Sequence, residues 1–289
     1  MRIIVAIKQV PETKSVKMDE KTGTVIREGV EAIINPLDLY AIEIAIQLRE
    51  KHGGACTCGD LATGGAGTSE VVGVSMGPAK AITALREAIA MGFDSGVLVS
   101  DSAFAGSDTW ATSYILAEAI KRIGDFSLVI CGERATDGDT GQVGPGIASF
   151  LDLPVVSYVS KIEQVRLQTS DSRLQTQGLG LNRLVEDGYE VLSCSLPCVI
   201  TVVKEVSIPR LPTLRGKQRA KRTEIPVWGS DDLDVDLSKV GVNGSPTRVV
   251  KIFRPKVARQ CEKVLAKDDE SIKEAVDKLA GFFQHKELL

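Results

Sequence analysis

Histidine is nearly missing from this chain. Only His52 and His285 occur in 289 residues, and they offer no paired spacing for holding a metal. Cysteine is scattered, at 56, 58, 131, 194, 198 and 261, and a chain this long builds its core without a disulfide framework. Cys56-Thr57-Cys58 is half of a conceivable metal site. The next close pair, Cys194 and Cys198, alternates within apparent strands and reads as packing, so no metal is expected. A charge excess is missing too: the net charge is -3, which does not favour nucleic acid as a partner. No apolar run nears the roughly 20 residues that cross a bilayer, so no membrane span is expected. The opening Met1-Arg2-Ile3-Ile4-Val5-Ala6-Ile7-Lys8 is too short in its apolar part for a signal peptide and reads as a first strand, which makes the cytoplasm the expected location, an organellar matrix fitting equally well. There is also no Gly-x-x-x-x-Gly-Lys-Ser/Thr loop, which disfavours an ATP-hydrolysing reading.

What is present is an alternation of short apolar runs and amphipathic segments, in a composition (43% hydrophobic, 25% charged) ordinary for a globular protein. Ile3 to Ile7, Val71 to Met76, Gly96 to Val99 and Leu128 to Cys131 read as buried strands. Between them, Asn35-Pro36 starts a helix carrying Leu39, Ile42, Ile46 and Arg49, which Gly53 can end. Gly77-Pro78 opens a second helix with Ile82, Leu85 and Ile89, and Asp108 to Ile123 forms a third, closed by Gly124. Apolar strands between helices indicate a parallel sheet covered on both faces, with ligands beyond the carboxyl ends of its strands. Val16 to Met18 and Val25 to Arg27 flank Thr22-Gly23 as a small hairpin, and Gly53 to Ser69 reads as a surface loop.

The most informative stretch follows the strand at Leu128: Gly132-Glu133-Arg134-Ala135-Thr136-Asp137-Gly138-Asp139-Thr140-Gly141-Gln142-Val143-Gly144-Pro145-Gly146, leading into a helix at Ile147 to Leu151. Small residues let backbone N–H groups approach an anion, and a helix start adds its positive dipole end. The stretch reads as a nucleotide-phosphate site, although the same composition suits an ordinary turn after a strand. Asp137 and Asp139 do not suit a phosphate directly and are expected to cap N–H groups of the turn.

After Pro154 the pattern turns to strands. Val155 to Val159, Gly180 to Val185, Glu190 to Ser195 and Val199 to Val203 suggest an antiparallel addition to the sheet. Residues 204–224 carry seven Lys or Arg against two Glu, with Pro209, Pro212 and Pro226 in or beside them. They read as an exposed, extended basic arm, either a solvated connector or a docking surface. Asp268 to Phe283 is a helix with Ile272, Ala275, Val276, Leu279 and Phe283 on one face. The division expected is a nucleotide-binding α/β core over 1–203 and a docking arm with a helical extension over 204–289.

Three stretches carry a family resemblance. They are Val5-Ala6-Ile7-Lys8-Gln9-Val10-Pro11 with Asn35-Pro36-Leu37-Asp38; Asp137-Gly138-Asp139-Thr140 with Gln142-Val143-Gly144-Pro145; and Arg183, Glu186-Asp187-Gly188, Glu190, Leu192, Pro197 and Val199-Ile200-Thr201-Val202. Essentially from end to end, the chain resembles the beta subunit of electron transfer flavoproteins. Leu181 is a minor departure, where the family has Gly or a smaller or β-branched residue.

The resemblance implies a three-layer, Rossmann-like α/β fold of the nucleotide alpha-hydrolase type, with antiparallel additions and a C-terminal arm. It implies a heterodimer with a larger alpha subunit, and a nucleotide held at Ala6, Asn35, Pro36, Leu37, Asp38, Met76 and the run from Gly132 to Val143. Asn35 would read an adenine or ribose edge, and Gly138 and Thr140 would face a phosphate.

Gln9-Val10-Pro11, Gly138-Asp139-Thr140 and the run from Asp101 to Thr112 resemble the electron-bifurcating group. That group implies FAD here rather than the AMP of the respiratory type, with NADH as donor and no catalytic side chain. Phe104, Gly106, Asp108 and Thr109 would then serve a flavin or nicotinamide nucleotide, the alternative being a helix cap with Phe104 and Trp110 packed locally. The implied partners are an acyl-CoA or hydroxy-acid dehydrogenase and ferredoxin or flavodoxin. Val206 and Arg210 would lie in the loop that docks the dehydrogenase.

Overall fold

Strand β1 (Arg2–Ala6) shows why the sheet is covered on both sides. Ile3 and Val5 join one apolar cluster, Ile4 and Ala6 the other, and Ile3, Ile4 and Val5 have no exposed surface. Each such side chain contributes about 1.5–3 kcal/mol by leaving water. The computed structural model describes residues 1–12, 17–18, 25–26, 32–51, 69–168, 175–250 and 263–286. It divides the chain into two units, Met1–Val250 and Lys251–Leu289.

In chain order the first unit continues with β2 (Gln9–Pro11), β3 (Lys17–Met18), β4 (Val25–Ile26), β5 (Ala32–Ile34), α1 (Asp38–Lys51), β6 (Glu70–Met76), α2 (Ile82–Met91), β7 (Ser95–Val99), α3 (Thr109–Ile123) and β8 (Leu128–Gly132). Next come α4 (Val143–Leu151), β9 (Val155–Gln168), β10 (Gln175–Val185), β11 (Gly188–Ser195), β12 (Cys198–Val202), α5 (Leu214–Arg222), β13 (Val227–Trp228) and the short α6 (Gly241–Gly244). Nine strands form one sheet in the order β11-β10-β9-β12-β8-β1-β6-β7-β13. Only β9-β10 and β10-β11 pair antiparallel. Helices α1 and α2 cover one face through Ile42, Ile46, Leu85 and Ile89. Helices α3 and α4 cover the other through Ile115, Ile120 and Ile147. This is the layered α/β arrangement expected from the sequence. The pairing of β3 with β4 matches the expected hairpin, whose turn lies outside the described residues.

The second half departs from expectation in two ways. The run at Val199 was grouped with the antiparallel strands, but β12 lies parallel between β8 and β9, with all five residues buried. A strand apolar on both faces belongs inside a covered parallel sheet, whereas β11, exposed at most positions, takes the edge.

The basic segment is also not extended throughout. Thr213 caps α5 through the N–H of Gly216, and α5 packs on α2. Arg219 donates to the carbonyls of Ile89 and Phe93 at the end of α2, and Arg86 donates to that of Ala220. Strand β13 then adds to the sheet edge beside β7, with the Arg122 guanidinium 4.7 Å over the Trp228 ring. Residues 204–250 thus fall within the first unit.

In the second unit, α7 (Asp269–His285) is capped by Asp268, which accepts from the N–H of Ser271. Ile272, Val276, Leu279 and Phe282 are exposed on it. No helix among the described residues is long and apolar enough to cross a membrane.

Candidate functional site

Strands β1, β6, β7 and β8 all end at one cavity of about 910 Å³, where a ligand of a parallel sheet is expected. Its walls include Ala6, Asp38, Met76, Phe104, Gly106, Asp108 and Thr109, together with Gly132, Glu133, Arg134, Ala135, Gly138, Thr140, Gly141, Gln142 and Val143. Of the residues expected from the sequence, Asn35, Pro36, Leu37, Thr136, Asp137 and Asp139 stand outside the lining.

The loop after β8 offers its backbone. Gly138 and Asp139 turn back onto the carbonyl of Ala135. Among the described residues, the amides of Thr140, Gly141 and Gln142 donate to no protein oxygen. Helix α4 starts at Val143, four residues before the sequence suggested, with Pro145 tolerated in its first turn. Unpaired amides leading into a helix start form an anion cradle. Gly132 is required by close approach: a Cβ there would run into Asp38 and the carbonyl of Leu37.

Two charge expectations need correction. Asp137 and Asp139 do not cap the turn. Asp137 pairs with Lys8 at 2.8 Å and Asp139 with Arg134 at 2.9 Å, because cations within reach bind carboxylates more strongly than neutral amides do. Lys8, to which the sequence reading gave no role of its own within the first family stretch, also lines the cavity beside the cradle, two residues past the end of β1.

Asn35 does not read a nucleotide edge in this geometry. It has no exposed surface, and both ends of its amide are engaged within the protein. Nδ2 donates to Asp38 Oδ1 at 2.8 Å and to the carbonyl of Arg134 at 2.9 Å, and Oδ1 accepts from the N–H of Thr136 at 3.1 Å. Asp38 Oδ2 in turn accepts the N–H of Lys8 at 2.7 Å. The end of β1, the start of α1 and the phosphate loop are thus tied at one point. Burial raises the Asp38 carboxyl to about 7, against the lowering effects of the Lys8 N–H, the Asn35 amide and the Lys8 charge, while the Asp137 charge adds to the rise.

The opposite wall comes from the loop after β7. Asp108 caps α3 through the N–H of Ala111 and also accepts from the N–H and hydroxyl of Thr247. Asp101 accepts from the N–H and hydroxyl of Ser230 and from the N–H of Ala103, and these bonds hold it down to about 2. Phe104 is buried in the core below, whereas Trp110 turns away onto Tyr114 and Phe150. Residues 101–112 are thus partly cavity wall and partly local packing. Among the described residues, no group of three His, Cys, Asp or Glu stands ready for a metal. Cys56 and Cys58 lie outside the described residues.

Away from the cavity, Val206 is half-buried against the core, while Ile208, Leu211 and Leu214 are more than four-fifths exposed. Arg210 is held by Glu43 at 2.8 Å and Glu50 at 2.7 Å.

Comparison with known proteins places this geometry. The profile of the electron transfer flavoprotein domain matches residues 59–233. The chain is 42% identical to the electron transfer flavoprotein subunit beta of Thermoanaerobacterium thermosaccharolyticum, over 96% of this chain and 98% of that one. It is 42% identical to the caffeyl-CoA reductase-Etf complex subunit CarD of Acetobacterium woodii, over 88% of each. It is also 40% identical to the protein FixA of Azorhizobium caulinodans, over 88% of this chain and 85% of that one. With a domain match over more than half its length and relatives aligned almost from end to end, this chain belongs to the beta-subunit family of electron transfer flavoproteins.

Proposed function

We propose that this chain is the beta subunit of a heterodimeric, electron-bifurcating flavoprotein. It holds FAD, takes electrons from NADH, and passes them to ferredoxin or flavodoxin and, through the FAD of an alpha subunit, to a partner dehydrogenase. The observation that carries the choice of FAD is the size of the cavity. About 910 Å³ reaches from the amide cradle at Thr140 to the wall at Ser100 to Asp108 and Val249. AMP, with fewer than half the atoms of FAD, would fill only the cradle end.

The name of CarD joins that relative to a caffeyl-CoA reductase, which supports an acyl-CoA dehydrogenase as the partner. When bound, the flavin would supply the electron chemistry. The chain's own work is positioning. The amides of Thr140, Gly141 and Gln142 would hold the phosphates, and Lys8 and Arg134, now paired with Asp137 and Asp139, would supply positive charge beside them. Met76, Phe104 and Leu116 exclude water from the far end.

The test is the nucleotide content of the purified heterodimer. Two FAD and no AMP are expected per dimer. One FAD and one AMP would reduce this chain to a structural half of a simple carrier linking dehydrogenases to a quinone reductase.

Docking of the dehydrogenase is assigned to the exposed Ile208, Leu211 and Leu214 rather than to Val206, because an anchor must be free to enter a partner's pocket. Arg210 serves the fold: without it, Glu43 would be a buried carboxylate lacking its cation. The double variant Ile208→Asp, Leu211→Asp is expected to keep its nucleotide and its reduction by NADH, and to lose about tenfold in transfer to the dehydrogenase. Transfer at the wild-type rate would remove this docking assignment.

A further inference from the structure

Tyr158 stands in a backbone conformation that its own burial does not explain. Its φ is +59°, in the left-handed region, where a bulky aromatic is a genuine outlier. Both ladders of β9 break beside it. Pairing to β10 skips Ser160, and pairing to β12 skips from Val156 to Val159. Yet the residue is 40% exposed, so core packing does not hold it there. A bulge beside a functional site commonly re-aims a side chain, and backbone strain collects where it serves a site.

The surroundings say what this one aims at. The N–H of Tyr158 donates to Thr201 Oγ1 at 3.1 Å. Thr201 is buried, and its methyl lies under Gly144 in the first turn of α4, where a Cβ would come within 2.5 Å of it. The phenol oxygen lies beside Gly141, 3.7 Å from where a Cβ there would stand. Gly141 and Asp139 are left-handed as well, at φ +64° and +54°. Three left-handed residues thus meet on one patch, two in the phosphate loop and one behind it.

We infer that Tyr158 is a positioning residue for the nucleotide: the bulge sets its phenol oxygen beside Gly141, where it limits the room of the 139–141 turn and so keeps the amides of Thr140, Gly141 and Gln142 in register with the helix start. The inference rests on the nucleotide-binding reading above. A bulge that served only the sheet, at the change from parallel to antiparallel pairing, would give stability and binding that fall together.

The experiment uses the heterodimer with Tyr158→Asn, which tolerates a left-handed backbone, and Tyr158→Phe, which keeps the ring. Thermal unfolding and the release rate of bound nucleotide are measured on each. For the Asn variant, stability at or above wild type is expected, with release about tenfold faster, the effect of a site left slightly loose. The Phe variant, which removes the oxygen that stands beside Gly141, is expected to keep wild-type stability and to release nucleotide several-fold faster. Unchanged release in the Asn variant would overturn the inference, as would parallel loss of stability and binding, or a Phe variant that releases at the wild-type rate. A wild-type heterodimer holding no nucleotide would remove the underlying reading itself, an outcome separate from any difference between variants.

Discussion

Replacing Asn35 by alanine is expected to remove about 3 kcal/mol of stability and to weaken nucleotide retention on the order of 100-fold. The Asn35 amide makes three bonds inside a site without exposed surface. Truncation strands the carbonyl of Arg134, the N–H of Thr136 and one oxygen of Asp38. Each stranded buried group costs about 1–3 kcal/mol, and partial relaxation keeps the sum below the arithmetic total. Two of the three belong to the phosphate loop, so the loss falls mainly on the segment that offers its amides to the ligand. Thr136→Ala is the control: the N–H that Asn35 accepts survives, and both stability and retention should stay near wild type. An Asn35→Ala heterodimer that unfolds within about 1 kcal/mol of wild type and keeps its nucleotide would show that the loop does not depend on this tie.

Asn35 also shows how far the sequence speaks. The sequence pointed to it, through Asn-Pro before a helix and the family pattern, although it stands behind the cavity lining rather than in it. Its role was not legible, because its partners lie about a hundred positions away at Arg134 and Thr136. The same holds elsewhere. The apolar runs announced β1, β6, β7 and β8, since a buried parallel strand needs no partner to look apolar. Whether β12 ran with or against its neighbours depended on where the chain re-entered the sheet, which no local pattern records. Arg210 read as a free charge because Glu43 and Glu50 meet it only in the fold. Tyr158 carried no signal, since an aromatic in a strand is the commonest thing it could have been. Two residues were too few for β13 to register against prolines and charges on either side.

The second large effect is a pH dependence centred on Asp38. Its carboxyl titrates near the ordinary 3.8 when the chain is unfolded and is raised to about 7 in the fold, chiefly by burial. As pH climbs from 4, the unfolded chain gives up this proton first, and from there to 7 the folded state holds more protons. Stability contributed by Asp38 is therefore fully present below about 4, falls as pH rises, and is gone above about 7. The displacement corresponds to about 4 kcal/mol in all, of which about 3 kcal/mol lies between pH 5 and 7.5.

Denaturant unfolding of the wild type and of Asp38→Asn across that range isolates the effect of Asp38 and of its charge coupling to Lys8 and Asp137, since groups farther away titrate alike in both. The wild type should lose its stability relative to the variant steadily up to pH 7 and hold constant beyond. A bound phosphate sharpens the argument. Its negative charge joins that of Asp137 in disfavouring ionised Asp38, while withdrawing Lys8 from Asp137. Nucleotide binding near pH 7 should thus take up a fraction of a proton, visible as a dependence of the binding enthalpy on the buffer's ionisation enthalpy. A stability difference that is flat with pH would mean that Asp38 stays ionised in the fold, with Lys8 and Asn35 outweighing its burial.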